Sequence, residues 1–255
     1  MDLFYQFYIQ SLKSKLAFPW DTLLGALISV VAATFALSSI WSSALGDKFS
    51  TLVGLSSVEY FFLSVCCYKL TFSSFHIIDL EIYEGGLSNK LLYPHSVLSF
   101  YLFQGLADFF ARLIIQLPVL AFSAFICGFS PNINIIPFFL CAILGFLIHY
   151  LSRFIVQLLS FWVEKTDYFT ISMMFVVRIF SGETIPLKLL PPFVATLFSF
   201  LPFYLIASAP VQVYKSGFSE LLRIFPTYLL WFAILGLLAS FMIRSGLKTY
   251  TARGI

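Results

Sequence analysis

Asp108 and Arg112 stand four residues apart inside a long apolar run, which puts a carboxylate and a guanidinium on one helix face where they can neutralise each other. An ionisable group in hydrocarbon costs about 2.5–3.5 kcal/mol on insertion scales, so such a residue points by default to function. Each one has two readings, an ion or proton site and a structural pair; for Asp108 and Arg112 the pair is favoured. His149 and Arg153 also share a face, near the end of their run, where Arg153 can snorkel to lipid headgroups. Glu59 and Lys69 lie ten residues apart, roughly 80° around a helix, so they pair poorly within one chain. That leaves Glu59 as a residue that could face a transport cavity or a subunit interface. Arg178 is placed to pair with Glu183.

Other chemistry is missing from the sequence. There is no Gly-x-x-x-x-Gly-Lys-Ser/Thr and no Gly-Lys dipeptide, so the loop that cradles nucleotide phosphates is absent. Three scattered histidines cannot form a zincin motif, and Gly-x-Ser-x-Gly does not occur. The expectation is a chain that is not an enzyme, holds no metal and binds no nucleic acid. Cys66, Cys67, Cys127 and Cys141 all fall in apolar runs and read as small buried hydrophobes.

The elements that carry these residues are built for lipid. Of 255 residues 60% are apolar and 11% charged, against about 25% charged in soluble domains. Apolar runs cover Leu23 to Leu45, Leu52 to Phe72, Val97 to Cys127, Ile133 to Val163, Tyr168 to Ser181 and Tyr228 to Ile243. A spanning helix needs roughly 20 apolar residues, and period-2 alternation is weak, which disfavours a β-barrel. The fold class is an all-α integral membrane protein with six transmembrane helices. The 32 phenylalanines are mostly accounted for by packing and lipid contact. No cleavable signal peptide is evident.

Lys and Arg gather in cytoplasmic loops. Lys13, Lys15, Lys90, Lys165, Arg244, Lys248 and Arg253 fall on one side of this layout, and Lys48, Lys188, Lys215 and Arg223 on the other. Both termini should then be cytoplasmic and the number of crossings even. The run Tyr168 to Ser181 covers only about 21 Å at helical rise. The apolar stretch Phe193 to Ala209 could be a seventh span, but it contains Pro202 and is flanked by Pro191, Pro192 and Pro210. It reads as a helical pair, residues 182–212, that dips into the outer leaflet between spans five and six and returns without crossing.

Residues 1–18 read as an amphipathic interfacial helix, with Phe4, Tyr8, Leu12 and Leu16 on one face, and residues 19–255 as a single transmembrane domain. Between the second and third runs lies the polar stretch Asp79-Leu80-Glu81-Ile82-Tyr83-Glu84-Gly85-Gly86. A short helix from His76 to Glu84 would be stopped by Gly85 and Gly86, since glycine takes the left-handed C-cap conformation. A second short turn, Leu87 to Tyr93, would complete a compact knob within residues 75–95. Its outer face could carry Glu81, Glu84, Asn89 and Lys90.

The stretch Glu81-Ile82-x-x-Gly85-x-Leu87, followed by Leu91, Leu92 and Pro94, resembles the cytoplasmic loop of type-2 ABC exporter permeases, in particular the six-span viologen or multidrug exporter-like group. Gly182-x-x-Ile185-Pro186-Leu187, Leu201-Pro202-Phe203 and Pro210 are similar to that group's outer segment. Trp231 and Gly246-Leu247-Lys248-x-Tyr250-x-x-x-Gly254 are similar to its last span and tail. Glu84 departs from the pattern, because a polar or basic residue commonly precedes the glycine. The resemblance implies a permease in the cell (inner) membrane. It implies a dimer, with a second copy or a paralogue, above two ATP-binding cassette subunits that hold ATP and Mg. It also implies that Asp79, Glu81, Ile82, Tyr83, Glu84, Gly85, Gly86, Leu87 and Asn89 form the coupling segment. Gly182, Pro186, Pro202 and Pro210 would mark the re-entrant outer segment. The cargo would be hydrophobic or amphipathic. The competing expectation is an ion-gradient-driven transporter or channel with Glu59 as its site. A lipid-modifying membrane enzyme is a third.

Overall fold

The computed structural model describes residues 2–16, 19–72, 77–92 and 95–250. His76, Tyr93, Pro94 and Gly254 lie outside the described residues. Among those described, every regular element is helical. In chain order they are α1 (Asp2–Leu16), α2 (Pro19–Leu45), α3 (Lys48–Val53), α4 (Ser57–Thr71), α5 (Asp79–Tyr83), α6 (Leu87–Lys90), α7 (Val97–Ile126), α8 (Ile135–Gln157), α9 (Asp167–Phe180), α10 (Pro192–Ser199), α11 (Ser208–Ser216) and α12 (Phe218–Thr249). Short 3-10 turns follow α8 at Leu158–Phe161 and flank α10 at Leu187–Leu189 and Pro202–Leu205.

Among the described residues, four helices are long and apolar enough to cross a membrane: Leu23–Leu45, Val97–Ile126, Ile135–Phe161 and Phe218–Thr249. The third is the most buried of them, and α4, α9, α11 and α12 pack around it. The runs expected at Leu52 to Phe72 and Tyr168 to Ser181 form α4 and α9, of 15 and 14 residues, both below that length. The second run is not continuous. Gly54 sits at φ +81 and closes α3, and Ser56 restarts the chain as the N-cap of α4. At the other end of the chain α12 runs through Pro226, so the last helix begins ten residues before the expected Tyr228.

Of the broken stretch after α9, α10 has no buried residue, but the chain beyond it is held inside the bundle. Leu205, Ile206, Ala207 and Ala209 are fully buried. Gly145 of α8 has the Leu205 carbonyl and the Ile206 Cα against it, so that a Cβ there would lie 3.0 Å from the carbonyl oxygen, a tight contact. The Leu205 carbonyl accepts the Tyr228 hydroxyl of α12. Irregular backbone at depth is tolerated where protein covers it and supplies partners, and both conditions hold here. Ser208 donates its N–H and its hydroxyl to the Ser181 carbonyl (2.9 and 2.6 Å), and Tyr60 donates to the Gly182 carbonyl (2.7 Å). All four cysteines are free and buried, as expected.

Helix α1 packs against α7. Phe7 meets Phe100 edge-on at 5.1 Å, and Ser11 donates to Asp108 Oδ1 at 2.7 Å.

Candidate functional site

The stretch after α4 forms the expected knob from two short helices. Acidic Asp79 and Glu81 occupy the first turn of α5, where the helix dipole favours negative charge. Gly85 takes φ +80 and turns the chain into α6. The knob has an apolar inside: Ile78, Ile82 and Leu87 are buried against Phe100, Phe154 and Ile243, residues from α7, α8 and α12. Glu81 is clamped between Lys90 and the Tyr101 hydroxyl, and the Lys90 ammonium lies 5.0 Å from the centres of both the Phe100 and Tyr101 rings.

This divides the knob residues expected to couple into two groups. Asp79, Ile82 and Leu87 are buried and hold the knob to the bundle. Glu81 and Lys90, expected on the outer face, are turned toward each other and half-buried. The reason is that Tyr101 of α7 offers Glu81 a donor that the local sequence does not contain. Glu84, Asn89, Leu80, Tyr83, Leu91 and Leu92 remain exposed. Beside Tyr83, a cleft of about 80 Å³ opens between Trp162, Glu164 and Tyr250.

The end of α12 closes against the knob. Tyr250 and Ser88 share a hydroxyl–hydroxyl hydrogen bond (3.3 Å), and Phe161 packs edge-on to the Tyr250 ring. Gly246 makes this possible, because a Cβ there would overlap the Phe161 ring. Valine at 246 is expected to destabilise the folded chain by about 1–3 kcal/mol, the usual cost of overpacking. Valine at Gly236 of the same helix, which has open space around it, should leave the thermal unfolding of the purified protein close to the parent.

The charges inside the apolar helices are nearly all engaged. Arg112 and Asp108 pair at 2.9 Å, as their spacing predicts. Arg178 binds Glu183 through two hydrogen bonds (3.0 and 3.1 Å). Arg153 does not snorkel: it is 1% exposed and lies over the Phe72 ring at 4.6 Å. His149 is fully buried with Nδ1 at 3.1 Å from the Thr71 hydroxyl. Glu59 completes a capping box with Ser56, its carboxylate accepting from the Ser56 N–H and hydroxyl at 2.9 Å each. It therefore sits at a helix start rather than in mid-span. Among the described residues, no group of three or more His, Cys, Asp and Glu could hold a metal.

Gly182, Pro186, Pro202 and Pro210 are all buried, at or beyond the end of α9 remote from the knob. Near them the sequence reading missed a pair of cations. The ammonium groups of Lys188 and Lys215 both reach the Val53 carbonyl at the end of α3 (3.4 Å each). Burial, and then the neighbouring Lys215 charge, lower the Lys188 pKa. Also missed were Gln157, Thr166 and Tyr101, which hold the knob. Gln157 carried a signal, as a polar residue inside an apolar run.

The knob, the broken segment and the closing tail fall within one family pattern. The model of the ABC-2 family transporter proteins matches residues 47–254. The chain belongs to the ABC-2 transporter family. No curated protein and no solved structure matches it. As an ABC-2 transporter it is a multi-pass membrane protein, the membrane component of an ABC transporter, and the family implies association with an ATP-binding cassette subunit. The matched residues begin just after α2 and include the knob, the Arg178–Glu183 pair and the α12 tail.

Proposed function

We propose that this ABC-2 subunit couples ATP hydrolysis on a separate cassette subunit to outward movement of a hydrophobic or amphipathic substrate, with the knob of α5 and α6 as the point of contact. The observation that carries this reading is the knob itself. Its inner residues are locked to three helices of the bundle, while Leu80, Tyr83, Glu84 and Leu92 face outward. A rigid projection with an exposed apolar and acidic face suits the reception of force from a partner. In this reading α2, α4, α7, α8, α9 and α12 are the six spans and residues 182–212 re-enter from the outer side. The knob and both termini are then cytoplasmic. The burial of Leu205 to Ala209 supports re-entry, since that backbone is covered by protein. Two permease subunits, identical or paralogous, would enclose the pathway. ATP and Mg²⁺ belong on the cassette. Nucleotide would shift the permease between two states only to the extent that the cassette binds them with different affinity.

The rival ion-gradient mechanism rested on Glu59, and the capping box counts against a free carboxylate there. The test is purification of the tagged chain from its native membrane. A cassette ATPase is expected to co-purify. Deletion of Gly85 and Gly86 should lower ATP turnover of the reconstituted complex about tenfold, within the usual range of coupling energies. Glu84→Ala, at an exposed position of the knob, should also lower turnover, with the thermal stability of the bundle unchanged. Parental turnover in the deletion variant, or transport that persists without the cassette, would overturn the proposal.

A further inference from the structure

The knob is fastened to helices far from it in sequence by buried polar bonds. Gln157, fully buried at the end of α8, turns its side-chain oxygen to the start of α5 and accepts the N–H of Ile77 (2.7 Å) and of Ile78 (3.4 Å). Thr166, the N-cap residue of α9 and 3% exposed, donates its hydroxyl to Asp79 Oδ2 at 3.1 Å. The first turn of the knob is thus tied to the end of α8 and the beginning of α9.

Helix α9 has few other attachments along its length. Of its 14 residues only Thr170 and Val177 are buried. Its far end is fixed again by polar contacts. Arg178 holds Glu183, the Ser181 carbonyl takes two bonds from Ser208, and the Gly182 carbonyl takes the Tyr60 hydroxyl. A helix of 14 residues is about 21 Å long and stiff along its axis. Held at both ends and loosely at its sides, it can transmit axial displacement by a shear-type slide.

We propose that Gln157 and Thr166 are positioning residues that key the knob to α8 and α9, so that α9 acts as a push rod from the knob to the segment beginning at Gly182. Displacement of the knob then reaches α9 through Thr166, in addition to the apolar contacts by which the knob bears on α7, α8 and α12. The idea deepens the proposed function and takes from it only the source of the push.

The test uses the full-length chain in lipid nanodiscs, with a reporter cysteine introduced as Thr184→Cys. The four native cysteines are buried and serve as internal controls. Labelling with a membrane-impermeant maleimide reports the freedom of the segment after α9. Thr166→Val and Gln157→Leu are each expected to change the labelling rate at 184 about fivefold or more, the lower bound of typical site-to-site coupling. Thr166→Ser, which keeps the donor, should restore the parental rate. Leu237→Ala, on the exposed face of α12, should have no effect. Cys67 and Cys141 should stay unreactive throughout. Parental labelling in the valine and leucine variants overturns the proposal. So does a rise at the native cysteines, which would mean general loosening. Because this assay needs no cassette, failure to co-purify an ATPase would sink the proposed function and leave the push rod standing.

Discussion

Alanine in place of Arg178 is expected to destabilise the folded chain by about 3 kcal/mol, because it strands a buried carboxylate. Glu183 is 1% exposed in its side chain and Arg178 is 41% exposed. The two partners are therefore unequal. Removal of the arginine leaves Glu183 away from water, and it must either keep an uncompensated charge or take up a proton. Lys69 is the other cation close enough to act on Glu183, which holds the loss at the low end of the about 3–5 kcal/mol typical of broken buried pairs. Glu183→Gln should be far milder, about 1 kcal/mol, since it removes the charge that needs solvation and leaves an arginine that can reach water. The double variant should recover most of what Arg178→Ala loses. Unfolding by SDS titration from mixed micelles measures all three. Equal losses in the two single variants would show that the pair is not asymmetric in the way its burial requires.

Valine at Gly182, one residue from that pair, is expected to cost about 3 kcal/mol, from left-handed strain and overpacking together. Gly182 has φ +84, and a Cβ there would run into the Ser208 hydroxyl. That hydroxyl cannot simply turn aside, because it holds the Ser181 carbonyl at 2.6 Å. Gly54 offers the comparison. Its φ is +81 and a Cβ would meet the Lys215 ammonium, but that is the tip of a long side chain which can swing away. Alanine at Gly54 should therefore cost about 1 kcal/mol, the backbone strain alone. The same titration distinguishes the two positions; similar losses at both would mean that the Ser208 contact does not matter.

Much of the bundle was legible in the sequence because hydrophobic runs and helix breakers act locally. The apolar runs became helices, Gly85 took the left-handed turn that ends α5, and Asp108 met Arg112 one helical turn on. Two misreadings had local causes. Ser56 and Glu59 form a capping box three residues apart, a signal that was present but hidden inside what looked like one unbroken apolar run. The last helix was read only from Tyr228, where its apolar run begins. Proline removes one backbone donor and favours a kink, and α12 continues through it from Phe218. Arg153 was read as reaching for headgroups because it lies near the end of its apolar run. Its cover is the Phe72 ring, from the far end of α4.

The order of the helices, the bend of the knob and the membership of a lipid-embedded bundle were determined by the sequence alone, since each follows from residues within a few turns of one another. Which face of the knob points outward, and which helices it grips, were decided only by the tertiary structure. Glu81 turns inward because Tyr101 is there, Ile77 is caught by Gln157 across 80 positions, and Asp79 by Thr166 across 87. A polar side chain at a helix end takes whichever partner the fold brings within about 3 Å, and that choice depends on packing between segments distant along the chain.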